Sequence, residues 1–166
     1  MRTFDMLLLA LMGYFLLMNM TVERCYCHET VEACAQAGKL LGKETLDFCR
    51  LYNPLFIARP EWMRVATCIS AYGFCVGYAL IAVAASFNLW TSLRLPISLF
   101  TGMKLNAIFF YHVMEFTSTT PPPHLLPYFG VEGPYLLSIA MVIYRLSALS
   151  PNASSATGKA KISKAS

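Results

Sequence analysis

Apolar side chains gather into four long runs along this chain, at residues 4–20, 65–90, 95–114 and 134–149, and polar side chains fill the stretches between them. A run of about 20 apolar residues rising about 1.5 Å each matches a hydrocarbon core of roughly 30 Å, and a backbone deprived of water satisfies its own hydrogen bonds as a helix. The pattern predicts an all-α protein: a four-helix transmembrane bundle over residues 1–150, with an extramembrane helical loop at 21–64 that carries cysteines. Pro96 and Pro134 each stand where a missing first-turn N–H is harmless, so both read as helix openers, and Pro151 stops the fourth run. The first run follows Arg2 and is short, but no small-x-small cleavage site follows Met18-Asn19-Met20, so it is read as a retained helix rather than a signal peptide.

Within the outer loop, Thr30 is placed to cap a segment with Ala33, Cys34, Ala37, Leu40 and Leu41 on one face, and Gly42 to end it. A second segment runs from Lys43 to about Leu51, and the pair is expected to bury Leu40, Leu41, Leu46, Phe48 and Leu51 against the bundle. Trp62 and Arg64, after Pro60, read as interfacial anchors before the second span. Arg145, one turn inside the end of the fourth, is placed to snorkel to the headgroups. In the second span Gly73 and Gly77 form a GxxxG among many small residues that let helices approach closely. The second outer loop carries Pro121-Pro122-Pro123, a polyproline II stretch. Residues 151–166 have the Ser, Ala and Lys composition of a solvated, flexible basic tail.

Composition sharpens the class: 57% of the 166 residues are hydrophobic and 13% charged, which a soluble domain of this length rarely carries. The net charge of +4 is concentrated after Glu132, in Arg145, Lys159, Lys161 and Lys164, and these are too few and too sparse for a nucleic-acid platform. With four spans both termini share one side, and the lysines of the tail place that side in the cytosol or the mitochondrial matrix. The loop 21–64 gives no further vote, since its six Lys or Arg balance six Asp or Glu.

Of six cysteines, Cys25, Cys27, Cys34 and Cys49 lie in the outer loop and are the candidates for disulfides, with three connectivities open to them. Cys68 and Cys75, seven residues apart on one helix, cannot pair with each other and read as packing residues. Cys25-x-Cys27 beside His28 lacks structural zinc spacing, and no metal or other cofactor is expected. The intramembrane polar groups are Lys104 with Asn106, and His112 with Glu115, the latter pair at i and i+3 where they can hydrogen bond. Charge at bilayer depth must face the bundle, a cavity or a partner, so Lys104 points either to Asn106, Ser98 or Thr101, to an acid on another subunit, or to a bound headgroup.

Tyr52-Asn53-Pro54-Leu55, then Pro60-Glu61-Trp62-Met63-Arg64 before a helix, Arg94-Leu95-Pro96 and Gly133-Pro134-Tyr135-Leu136-Leu137 together resemble the EXPERA family, over roughly residues 53–145 and nearest its sigma-2 receptor branch. The resemblance implies a four- or five-helix membrane protein with a lipid- or sterol-sized cavity. Where that branch carries acids, this chain has Asn19, Asn53 and Ser70, and the histidine-x-x-x-glutamate of the family's sterol isomerases has no counterpart in the second helix. Sterol isomerisation needs carboxyl groups to give and take a proton in an apolar pocket. The expectation is therefore a protein with no catalytic residues: an accessory subunit of a large membrane complex, of respiratory type in the mitochondrial inner membrane, with membrane lipids and other subunits as partners and no nucleic acid. The alternative is an endoplasmic-reticulum lipid- or sterol-binding protein, or an isomerase, of the resembled family.

Overall fold

The computed structural model describes residues 3–149. The basic tail expected at 151–166 lies outside the described residues. No strand occurs among these, and the helices are α1 Thr3–His28, α2 Val31–Gln36, α3 Gly42–Tyr52, α4 Pro54–Ala58, α5 Glu61–Phe87, α6 Arg94–Phe116 and α7 Leu125–Ser147. Three of them, α1, α5 and α7, are long and apolar enough to cross a membrane. The fourth expected span, α6, has 23 residues, but Lys104, Asn106 and His112 interrupt its apolar run and Arg94 and Glu115 flank it.

Asp5, Leu8, Met12, Phe15, Asn19, Val22 and Tyr26 are buried along α1, with Cys27 buried beside the last of them. They recur every three or four residues, so one stripe of the helix faces inward over its whole length. That stripe packs along α5, and Leu8, Met12 and Phe15 join Phe74, Tyr78, Ile81 and Ala84 of α5 with Ile97, Ile108, Tyr135, Ile139 and Val142 in one core. A second, smaller core of Tyr26, Val31, Leu46, Leu55 and Met63 sits under the helical loop.

Both α1 and α5 contain a π turn, at Asn19–Glu23 and Ser70–Phe74, and the two turns lie against each other. A π turn widens the helix and weakens the usual carbonyl pairing. Here the Asn19 side-chain amide donates to the Ser70 carbonyl at 2.8 Å and ties the two together. Cys27 forms a disulfide with Cys68, and Cys25 with Cys34. Two expectations are corrected by this pairing: Cys68 is a bridge residue rather than packing, and Cys49 is a free, buried thiol. Sequence spacing had no means of bringing the middle of one helix to the end of another.

Other boundaries differ for local reasons. Gly38, with φ of +62°, ends α2, whereas Gly42 opens α3, where an added Cβ would stand 3.0 Å from the Cys34 carbonyl oxygen. The Thr30 hydroxyl does accept from the Ala33 amide. Leu46 is buried and Leu41 and Phe48 partly so, but Leu40 and Leu51 are exposed. Pro134 lies inside α7 rather than at its start, removing one N–H from a helix that is already nine residues long when the proline arrives. At the other end of the bundle, Arg145 turns inward instead of snorkelling: its Nε lies 3.3 Å from Asp5 Oδ1, its Nη2 donates to Asn88 Oδ1, and its guanidinium lies over the Trp90 ring. Trp62 is half-buried, edge-on to Phe110 and Tyr111, and Arg64 pairs with Glu61 on the exposed first turn of α5.

Candidate functional site

On α6 the buried residues are Ile97, Thr101, Lys104, Ile108 and Glu115, again three or four apart or a multiple of that step. Lys104 therefore belongs to the inward stripe, ten residues into the helix and only 8% exposed. Its ammonium is enclosed by three rings: Phe74 and Tyr135 with centroids at 4.7 Å, and Tyr78 at 5.5 Å. A desolvated cation–π contact contributes up to about 2 kcal/mol. Three such faces are of the size needed to offset the roughly 2.5–3.5 kcal/mol that a lysine costs at bilayer depth.

The polar groups expected to pair with Lys104 do not reach it. Asn106 is exposed on the far side of α6, the Ser98 hydroxyl donates to the Arg94 carbonyl, and the Thr101 hydroxyl donates to the Ile97 carbonyl. In their place stand two glutamates that lie outside the four apolar runs of the sequence. Glu23 comes from the π turn of α1 and Glu132 from α7, and with Lys104, Ser70, Phe74, Tyr111 and Tyr135 they line a cavity of about 120 Å³. Neither carboxylate is within 4 Å of a lysine or arginine nitrogen, since the ion pairs among the described residues are Glu61–Arg64 and Asp5–Arg145. The Tyr135 hydroxyl donates to Glu23 Oε1 at 3.4 Å, and the buried Glu23 Oε2 has no hydrogen-bond partner.

A second chamber of about 290 Å³ shares Glu23, Phe56, Tyr111, Glu132 and Tyr135 with the first. Its remaining walls are Tyr14, Met18 and Val22 of α1, Leu41 just before α3, Glu44, Thr45, Phe48 and Cys49 of α3, Asn53 and Val131. The two chambers form a slot that is mainly apolar at its sides, with Glu44 and Thr45 on the α3 wall, and that carries Glu23 and Glu132 where the chambers meet. Asn19, Asn53 and Ser70 cluster here: Ser70 and Asn53 line the chambers, and Asn19 bonds to Ser70. Asn53 also donates to the Tyr111 hydroxyl at 3.3 Å. Burial, reinforced by the negative charges of Glu115, Glu132 and Glu32, pushes the Cys49 thiol up to about 12.

His112 and Glu115 form no dyad. The His112 Nδ1–H donates to the Ile108 carbonyl at 2.8 Å, and its Nε2 is buried without a partner. Its ring stacks on Phe129 and Phe116. Glu115 is fully buried with neither oxygen hydrogen-bonded, and neither residue lines the chambers. Among the described residues no cluster of three or more His, Cys, Asp or Glu side chains is placed to hold a metal ion.

A signal for Glu132 and Glu23 was present in the chain. Glu132 falls between Tyr128 and Tyr135 on the buried side of α7, and Glu23 follows Val22 on the continued stripe of α1. Reading the helices only as far as their apolar residues extend hides both. Comparison with protein-family models, with curated proteins and with solved structures finds no match for this chain.

Proposed function

We propose that this chain is a non-catalytic multipass membrane protein, with α6 as its fourth span, that holds a lipid- or sterol-sized amphiphile in the slot beside Lys104. The observation that carries the reading is an ammonium and two carboxylates facing one cavity without touching each other. Charges so placed in a low-dielectric interior are satisfied by a polar group that comes between them. The apolar chamber on the α1–α7 side suits the body of such a molecule. The EXPERA resemblance supports the same reading.

Lipid extraction from the purified full chain tests it. The wild type is expected to carry a defined amphiphile that Lys104→Met loses at least tenfold, with the disulfides still formed in the variant. An unchanged lipid profile would overturn the proposal, and turnover of a sterol by the purified protein would replace binding with catalysis, for which Glu23 and Glu132 supply the carboxyl groups.

The second part of the proposal is that the chain works as an accessory subunit of a larger membrane assembly, with the mitochondrial inner membrane favoured and the endoplasmic reticulum as the alternative. Asn106 supports it: a polar amide on the outward face of a spanning helix is better satisfied by a protein neighbour than by lipid. Native electrophoresis of gently solubilised membranes checks this, since Asn106→Leu is expected to loosen the assembly while leaving cavity lipid in place.

A further inference from the structure

At the end of the bundle away from the cysteine loop, α6 and α7 diverge and leave a groove of about 390 Å³ between Arg94, Ser98, Gly102 and Leu105 on one side and Ile143 and Leu146 on the other. Its polar side chains are internally satisfied. The Ser98, Thr101 and Ser147 hydroxyls each donate to a carbonyl of their own helix, at Arg94, Ile97 and Tyr144, and offer little to an occupant. No acidic residue among those described lines the groove. Among the described residues its one charge is Arg94, exposed at the first residue of α6 and without an ion-pair partner. The neighbouring arginine of α7, Arg145, is engaged by Asp5 and does not compete.

The slot is apolar along its length and cationic at one end, where α6 begins and the chain meets the headgroup layer in the proposed four-span arrangement. We infer that this groove is a binding site for an anionic phospholipid, with one acyl chain lying along Gly102 and Leu105 and the phosphate on the Arg94 guanidinium. A single terminal charge matches an amphiphile. A packed partner helix would leave Arg94 buried and unpaired, which is costly. Basic pockets between membrane helices recognise anionic headgroups by the same complementarity. The site is separate from the Lys104 cavity and shares no lining residue with either chamber.

Gly102 supplies a means of testing the chain half of the site independently of the charge. A Cβ at this position meets nothing within 4 Å, so a larger side chain can project into the groove without displacing the fold. The experiment is native mass spectrometry of the full chain in mild detergent, titrated with phosphatidylglycerol or with phosphatidylcholine of the same acyl chains. The wild type is expected to bind phosphatidylglycerol about fivefold more tightly, in line with one basic side chain at an anionic surface. Arg94→Gln is expected to remove that preference, and Gly102→Leu to lower adducts of both lipids. Arg24→Gln, on the exposed end of α1 at the opposite side of the bundle, is expected to change neither. Equal binding of the two lipids by the wild type, or a preference that survives Arg94→Gln, would overturn the proposal. Dimers that Gly102→Leu dissolves would also overturn it, by giving the groove to a second copy. The Cys27–Cys68 bridge, read by peptide mapping, confirms that each variant is folded; should Gly102→Leu fail that check, the Arg94→Gln result alone decides.

Discussion

At the scale of single residues, the cysteines separate into two kinds that their spacing does not reveal. Cys49 sits in α3 against the wall of the larger chamber, and its thiol is pushed from an ordinary 9.0 up to about 12 by burial, with Glu115, Glu132 and Glu32 adding to it. A neutral thiol is a poor nucleophile. Cys49 is therefore expected to resist maleimide at pH 8 in the folded protein and to react at once after unfolding, which mass spectrometry of the alkylated chain reads directly. The pH linkage has a definite sign. Below pH 9 the thiol is protonated whether the chain is folded or not; above it the unfolded chain releases the proton and the folded one keeps it, so stability falls between pH 9 and about 12. Cys49→Ala is expected to flatten that part of the alkaline stability profile, by an amount on the order of 1 kcal/mol per pH unit. An identical slope in wild type and variant would show that the thiol reaches water. Lys104 was legible from sequence as the decisive charge, because a lysine inside an apolar run needs a partner whatever the fold. Its actual surroundings were not, since aromatic faces and glutamates from other helices reach it only through tertiary packing.

At the scale of elements, helix existence was readable and helix extent was not. The apolar runs marked the four long helices, but α1 continues through polar residues to His28 and α7 begins at Leu125, well before its apolar part. In both cases the buried stripe goes on where hydrophobicity stops, because the neighbours there are the disulfide-linked loop for α1 and, for Tyr128 and Phe129 of α7, the His112 and Phe116 rings of α6. Arg59 shows how the loop closes onto α1: its guanidinium donates to the Tyr26 and Cys27 carbonyls at the end of that helix, from a residue with φ of +49°. The two glycines of the GxxxG likewise have different work. Gly73 is exposed, and an added Cβ would meet only Ile69 of its own helix at 3.9 Å, whereas at Gly77 it would run into the Phe100 ring. Phe100 packs edge-on against Phe74 and Tyr78, two of the three rings around Lys104. Gly77→Ala is expected to lower stability by about 1–3 kcal/mol through overpacking and to weaken lipid retention with it. Gly73→Ala should change thermal unfolding little. Equal melting temperatures for the two variants would mean that α5 and α6 do not approach as closely as Gly77 implies.

At the scale of the whole molecule, the open choice is between three crossings and four. With α1, α5 and α7 alone spanning, α6 would lie along a surface, α7 would start from the side where α5 ends, and the two termini would face opposite compartments. The inward stripe of α6 argues for four, because Lys104 packs at mid-helix against Phe74 and Tyr78 of α5 and Tyr135 of α7, contacts that a surface helix lying across the bundle end would not make. Four crossings put both termini on one side, with Arg145 and the lysines of residues 151–166 beside them, and leave the Cys25–Cys34 and Cys27–Cys68 bridges on the other. Disulfides persist in oxidising compartments, so on the four-crossing reading the bridges and the tail lysines assign the same side to the cytosol or matrix. Single cysteines introduced as Thr3→Cys and Ser163→Cys, in a background with Cys49 and Cys75 replaced by alanine, give the test. On sealed vesicles of known orientation, an impermeant maleimide is expected to reach both from the cytosolic or matrix side and a third, at Glu29→Cys, only after the membrane is opened. Labelling of the two termini from opposite sides would establish three crossings, and the slot beside Lys104 would then have to be reached from the surface rather than from the bilayer.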